Sequence, residues 1–134
     1  MSGQMLQAVQ QAFYTKLNGD SLLMDLVNGV YDAVPQQVSV PYVVIGDGIA
    51  ETMPQLQSDI SECQMALHVW TPGGGRKRAL DILNRLHALL HHGQLSVNGG
   101  SLLSMRCVRA ETAVDADQDR VYGLLELSLT MRAD

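Results

Sequence analysis

The spacing of apolar positions divides the chain into segments of two periodicities. Near the start, Met5, Leu6, Val9, Ala12, Phe13 and Leu17 recur at three- and four-residue spacing between Gln and Lys positions, the pattern of an amphipathic helix. Asn18 and Gly19 supply its stop. Asp20 or Ser21 can cap a short second helical stretch through Leu22, Leu23, Leu26 and Val27, closed by Asn28 and Gly29. Residues 30–40 carry Pro35 and the polar pair Gln36 and Gln37, with Pro41 just beyond, which predicts an extended connector rather than a helix. From Tyr42 the β-branched run Val43, Val44, Ile45 predicts a strand, with a bulge or bend near Gly46 and Gly48. Polar residues 52–61, interrupted by Pro54, predict a long loop. The clearest strand follows, in which Cys63, Met65, Leu67 and Val69 alternate with Glu62, Gln64, His68 and Trp70, so that its odd positions face the core.

Pro72 and the three glycines 73–75 break this strand. Beyond them, Ala79, Leu80, Ile82, Leu83, Leu86, Leu89 and Leu90 trace one face of a helix of about four turns, ended by Gly93. Leu95 with Val97, then Asn98 and Gly99, then Leu102, predict a small hairpin feeding a third long strand over residues 103–113. Asp115, Asp117 and Asp119 turn the chain into a final strand with Leu125, Leu127, Leu129 and Met131 on one face. The order helix, strand, strand, helix, strand, strand predicts an α+β fold. The expected form is a mainly antiparallel four-stranded sheet with two principal helices on one face, plus the small extra hairpin. At 134 residues, one domain spanning the whole chain is expected.

Composition changes this picture only in part. An apolar fraction of 46% with 17% charged residues is that of a globular protein, and the low aromatic content leaves the core to Leu, Val, Ile and Met. A net charge of -5, with nine Lys and Arg spread along the chain, argues against a sequence-specific nucleic-acid binder, which needs clustered cations against phosphate. No basic segment precedes a long apolar run, and no stretch approaches the roughly 20 apolar residues that cross a bilayer. The protein is therefore expected to be soluble, made in the cytoplasm and without a membrane partner.

Each constellation that could carry chemistry lacks a residue that the chemistry requires. The glycines before Arg76 and Lys77 superficially suggest a phosphate cradle, but Arg78 stands where a P-loop needs Ser or Thr. His87 and His91, four apart on a helix, can share one metal ion, with His92 and His68 as conceivable further ligands. The intervening Ala88, Leu89 and Leu90 supply no carboxylate, and histidines suit the wet end of a helix. Cys63 and Cys107 lie in strand-like stretches, outside any hydrolase or C-x-x-C context, where free thiols are ordinarily buried apolar groups. Asp115, Asp117 and Asp119 lack the glycine and terminal Glu of a calcium loop. No catalytic residue, metal ligand or cofactor is expected, and the chain is expected not to be an enzyme.

Four pieces of sequence together resemble the tail-completion or tail-terminator family of long-tailed phages, prophages and gene transfer agents. They are the opening helix leading to Val30-Tyr31-Asp32 and Val34-Pro35; Pro41-Tyr42-Val43-Val44-Ile45-Gly46; Leu67-His68-Val69-Trp70 with its Gly-rich turn and following helix; and Leu102 to Arg106 with Gly123-Leu124-Leu125. The resemblance spans nearly the whole chain and rests on order and spacing, none of the pieces being a catalytic signature. It implies a virion subunit assembled in the cytoplasm that forms a closed ring, usually a hexamer, at the head-proximal end of the tail. Such a ring stops polymerisation of the tail-tube protein and joins the tail to a head-tail connector protein, with DNA only as passing cargo. The alternatives are another connector, such as a stopper or adaptor, or a small metal- or ligand-binding enzyme domain using the region of His87, His91 and Arg76. For assembly, the candidate contact residues are Gln55, Gln57 and Asp59 in the polar loop, Glu111, Asp115, Asp117 and Asp119 in the acidic tip, and separately Arg76 and Trp70. Trp70 either packs beneath a second element or stands exposed as an anchor.

Overall fold

The computed structural model describes residues 2–53 and 59–134. Helix α1, Ser2–Asn18, buries Met5, Val9, Ala12, Phe13 and Leu17 along one stripe, as its periodicity requires. It stops where the Gly19 N–H reaches back to the Thr15 carbonyl at 3.1 Å. The six-residue helix α2, Ser21–Leu26, begins at Asp20, whose carboxylate accepts the Leu23 N–H at 2.8 Å, and it buries Leu23.

Five strands make one sheet in the order β1-β2-β3-β5-β4: β1 Val30–Tyr31, β2 Tyr42–Thr52, β3 Ile60–Pro72, β4 Gly100–Asp115 and β5 Arg120–Ala133. Every pairing is antiparallel except β1 with β2. The connector expected over residues 30–40 thus contributes a fifth, two-residue strand at its start, seated parallel to Val43 and Val44. The strand from Tyr42 runs on to Thr52, further than its β-branched stretch, because pairing resumes after a register shift between Ile45 and Gly48. The strands approach closely at the shift, where a side chain at Gly46 would collide with the His68 ring across the pair. Leu95 and Val97 lie in irregular chain rather than in the arm of a hairpin, and β4 starts directly at Gly100.

Helix α3, Lys77–Leu90, buries Ala79, Ile82, Leu83, Leu86 and Leu90. The turn before it needs its glycines, since Gly74 and Gly75 hold φ of 102° and 118°. The helix ends before the Gly93 stop, with His92 taking the left-handed conformation at φ 56° while its N–H donates to the Met105 carbonyl at 2.9 Å. Helices α1 and α3 share one face of the sheet and form a core with Cys63, Met65, Leu67 and Val69 of β3 and Leu125, Leu127, Leu129 and Met131 of β5. No helix among the described residues covers the opposite face. Among the described residues no helix is long and apolar enough to cross a membrane.

One polar node fastens the helices to each other. The Arg85 guanidinium of α3 grips Asp20 through two bonds of 2.8 and 2.6 Å, while the same carboxylate caps α2. Arg85 holds the Asp20 carboxyl below its ordinary pKa, with the Leu23 N–H helping and partial burial opposing. A depressed folded-state pKa means that this contribution is complete above the unfolded carboxyl value of about 3.9 and is lost as pH falls through the folded value. Asp20→Ala removes both cap and ion pair, whereas Asp20→Asn keeps a capping side chain and removes the charge. Denaturant unfolding is expected to rank wild type above Asp20→Asn above Asp20→Ala, with about 1 kcal/mol between the two variants from the cap alone. The gap between wild type and Asp20→Asn is expected to close as pH is lowered below about 4.

Candidate functional site

The uncovered face of the sheet is set by the register of β3 with β5 and its neighbours. Tyr42, Trp70, Tyr122 and Ala113 stand in one cross-strand row, with Val44, His68, Leu124 and Glu111 in the next. The Trp70 and Tyr122 rings lie 4.8 Å apart, and the Arg120 guanidinium sits 4.6 Å above the indole. His68 Nδ1 and the Tyr122 hydroxyl are hydrogen-bonded at 2.6 Å, and Tyr31 meets Tyr42 edge to face. Burial raises the Tyr122 pKa, reinforced by Glu111 and Glu126, so the hydroxyl keeps its proton. Toward the other end the face turns polar: Ser128 donates to Glu62 at 3.1 Å, and Arg109 pairs with Glu111 at 2.9 Å and with Glu126 at 3.6 Å. A shallow groove there exposes Ile49 and Val108 between Asp47, Arg106 and Glu126.

Among the described residues Trp70 therefore packs beneath no second element, nor does it stand free. It is half-buried within its own sheet, between an aromatic neighbour and a cation. The other candidates separate to opposite ends of the sheet. Asp115, Asp117 and Asp119 lie at the β4–β5 turn, where the Asp119 carbonyl accepts the Gly73 N–H at 2.8 Å and so ties the acidic tip to the glycine turn leading into Arg76. Glu111 belongs to β4 itself rather than to the tip. Asp59 is at the far end, 3.8 Å from Arg132, and the span of β3 between the two ends is about 40 Å. Gln55 and Gln57 lie outside the described residues. Arg76 occupies the N-cap position of α3 and makes no side-chain cap there.

The chemical candidates fare differently. His68 is engaged with Tyr122 on the uncovered face and does not join the other histidines. His87 and His91 stack at 4.6 Å between ring centroids, and His92 lies against His91 at 4.0 Å. Cys107, on the edge strand, completes a cluster with His87 and His91 and donates its N–H to His91 Nδ1 at 3.0 Å. Burial, with repulsion from His92 and His87, lowers the His91 pKa, and burial pushes the Cys107 thiol up to about 11. Near neutral pH the pair is thus a neutral imidazole beside a protonated thiol, not a thiolate poised for attack. Cys63 is fully buried, and burial followed by the neighbouring Glu62 raises its pKa as well.

What the structure defines is a small α+β subunit whose sheet carries helices on one face and a patterned aromatic and ionic surface on the other. Its relationships agree: residues 11–132 match the tail completion protein gp17 family, and the chain belongs to that family. It is 29% identical over 125 residues to the tail completion protein gp17 of Bacillus phage SPP1, covering 93% of this chain and 92% of that protein. A solved structure of bacteriophage SPP1 gp17 superposes with a TM-score of 0.65 at 28% identity, over 92% of this chain and 88% of that one. A chain from the virion of a native gene transfer agent particle shares the fold at a TM-score of 0.86 and 23% identity, covering 96% of this chain and 98% of that one.

Replacing Trp70 by Ala strips the Arg120 stack and the Tyr122 contact, which together are worth about 1 to 2 kcal/mol. Thermal unfolding of Trp70→Ala is expected at a lower midpoint than wild type, with Trp70→Phe intermediate. Equal midpoints for all three would mean that the row carries no internal stability.

Proposed function

We propose that this chain is a structural subunit of a phage-like particle. It forms a ring, a hexamer in the simplest case, at the head-proximal end of the tail, where it stops growth of the tail tube and joins tail to head. The observation that carries this reading is membership of the tail completion family over residues 11–132, nearly the full length. The likeness to a chain of a gene transfer agent virion over 96% of the sequence supports it, as does the full-length relationship to the SPP1 protein.

Such a task needs no reaction. A ring made by heterologous contacts closes only when the rotation between subunits is right, and the same two surfaces meet at every joint. A subunit at a junction must also offer one surface to the tube and another to the head. The acidic tip with Arg76 and the far end with Asp59 are candidates for these contacts, about 40 Å apart along β3, and Gln55 and Gln57 are candidates from the sequence alone. Acidic groups facing a central channel would let DNA pass without adhering, as the net charge of -5 suits.

Mass photometry and negative-stain microscopy of the purified protein, alone and mixed with the cognate tail-tube protein, test the proposal. Rings of uniform size that cap tubes at one end only are the expected result. Monomers at high concentration with no attachment to tubes would overturn it, and rings found on the head side of an assembled particle would indicate a connector instead.

A further inference from the structure

The corner where α3 ends against β4, beside the core that Cys107 packs against, contains a group of donors that the assembly role does not employ. We infer that His87, His91 and Cys107 constitute a site for one borderline-soft divalent cation, with zinc the fitting ion. One ligand atom from each residue lies within 4.8 Å of the others. A tetrahedral zinc, with bonds of about 2.0 Å to nitrogen and 2.3 Å to sulfur, draws such atoms together by a modest turn of side chains.

Three features favour a cation here. His87 lies in the last turn of α3 and His91 is the C-cap just beyond it, their rings stacked, while the sulfur arrives from a different element, so the three donors converge from two sides of the corner. The helix end is held against β4 without any ion, because the His92 N–H is bonded to the Met105 carbonyl. His87 is exposed while His91 and Cys107 are half-buried, which leaves one open side for a water as fourth ligand. Two nitrogens and a sulfur, with no carboxylate in the group, suit zinc over calcium or magnesium.

On binding, the Cys107 thiol proton passes to solvent and sulfur coordinates as thiolate. His91 Nδ1 exchanges the hydrogen bond it accepts from the Cys107 amide for a bond to the metal, and His87 adds the second nitrogen. The complex carries one positive charge. Its physical effect is a clasp between the end of α3 and the edge strand, raising stability according to ion concentration.

Cobalt(II) titration of untagged, chelator-stripped protein reads the site directly. A 1:1 complex is expected, with the d–d spectrum of tetrahedral cobalt and a near-ultraviolet sulfur-to-cobalt band, both removed by zinc. Cys107→Ser is expected to abolish the sulfur band. His87→Gln, altered at an exposed position that leaves folding intact by circular dichroism, is expected to keep the band and weaken binding at least ~10-fold. Absence of a stoichiometric cobalt spectrum, a sulfur band that survives in Cys107→Ser, or unchanged affinity in His87→Gln would each overturn the assignment.

Discussion

The unbroken ladder between β3 and β5 is the constraint on which the rest of the molecule depends. All 13 residues of β3 pair with β5 without a register shift, from Ile60 opposite Arg132 to Pro72 opposite Arg120. A one-residue slip would turn Cys63, Met65, Leu67 and Val69 outward and bring Glu62, Gln64, His68 and Trp70 beneath the helices. The irregularities are confined to the outer strands, between Ile45 and Gly48 in β2 and at two points in β4. The central ladder is unbroken, and the register shifts lie in the strands that flank it.

From that ladder follow two faces of different character. The inner one is apolar and takes both long helices, with Leu67, Leu86, Leu125 and Leu129 fully enclosed. Burial of this kind, not hydrogen bonding, supplies most of the favourable free energy. The outer one is stabilised by pairs between neighbouring strands, aromatic at one end and ionic at the other, which need no covering element. Membership of the tail completion family gives this division a meaning under the proposed function, since a subunit of an assembly needs surface that its own helices leave bare.

Much of the fold was legible from periodicity, because long runs of alternation in β3 and β5 and of helical spacing in α1 and α3 state their own buried faces. The departures occur where local pattern is silent. Val30 and Tyr31 are too few to announce a strand, and only the nearby Val43 and Val44 make them one. Gly93 advertises a helix stop that His92 pre-empts, because the Met105 carbonyl offers its N–H a partner from 13 residues away. The neighbourhood of Cys107 and the histidine pair has no signature at all, since it is created by packing of the helix end on an edge strand. Trp70 was legible as an outward residue, but its partners Arg120 and Tyr122 come from a strand fifty positions later.

The same junction of α3 and β4 bears on how the protein avoids sticking to itself. At 16 residues β4 is a long border strand, and exposed Leu103, Val108 and Val114 make it an inviting template for a stray strand from another molecule. The Met105 carbonyl and the Cys107 N–H are the outward groups near its middle, and both are already occupied by His92 and His91. A foreign strand running the length of this border meets a helix end halfway, so uncontrolled sheet growth during synthesis is interrupted near the middle of the edge.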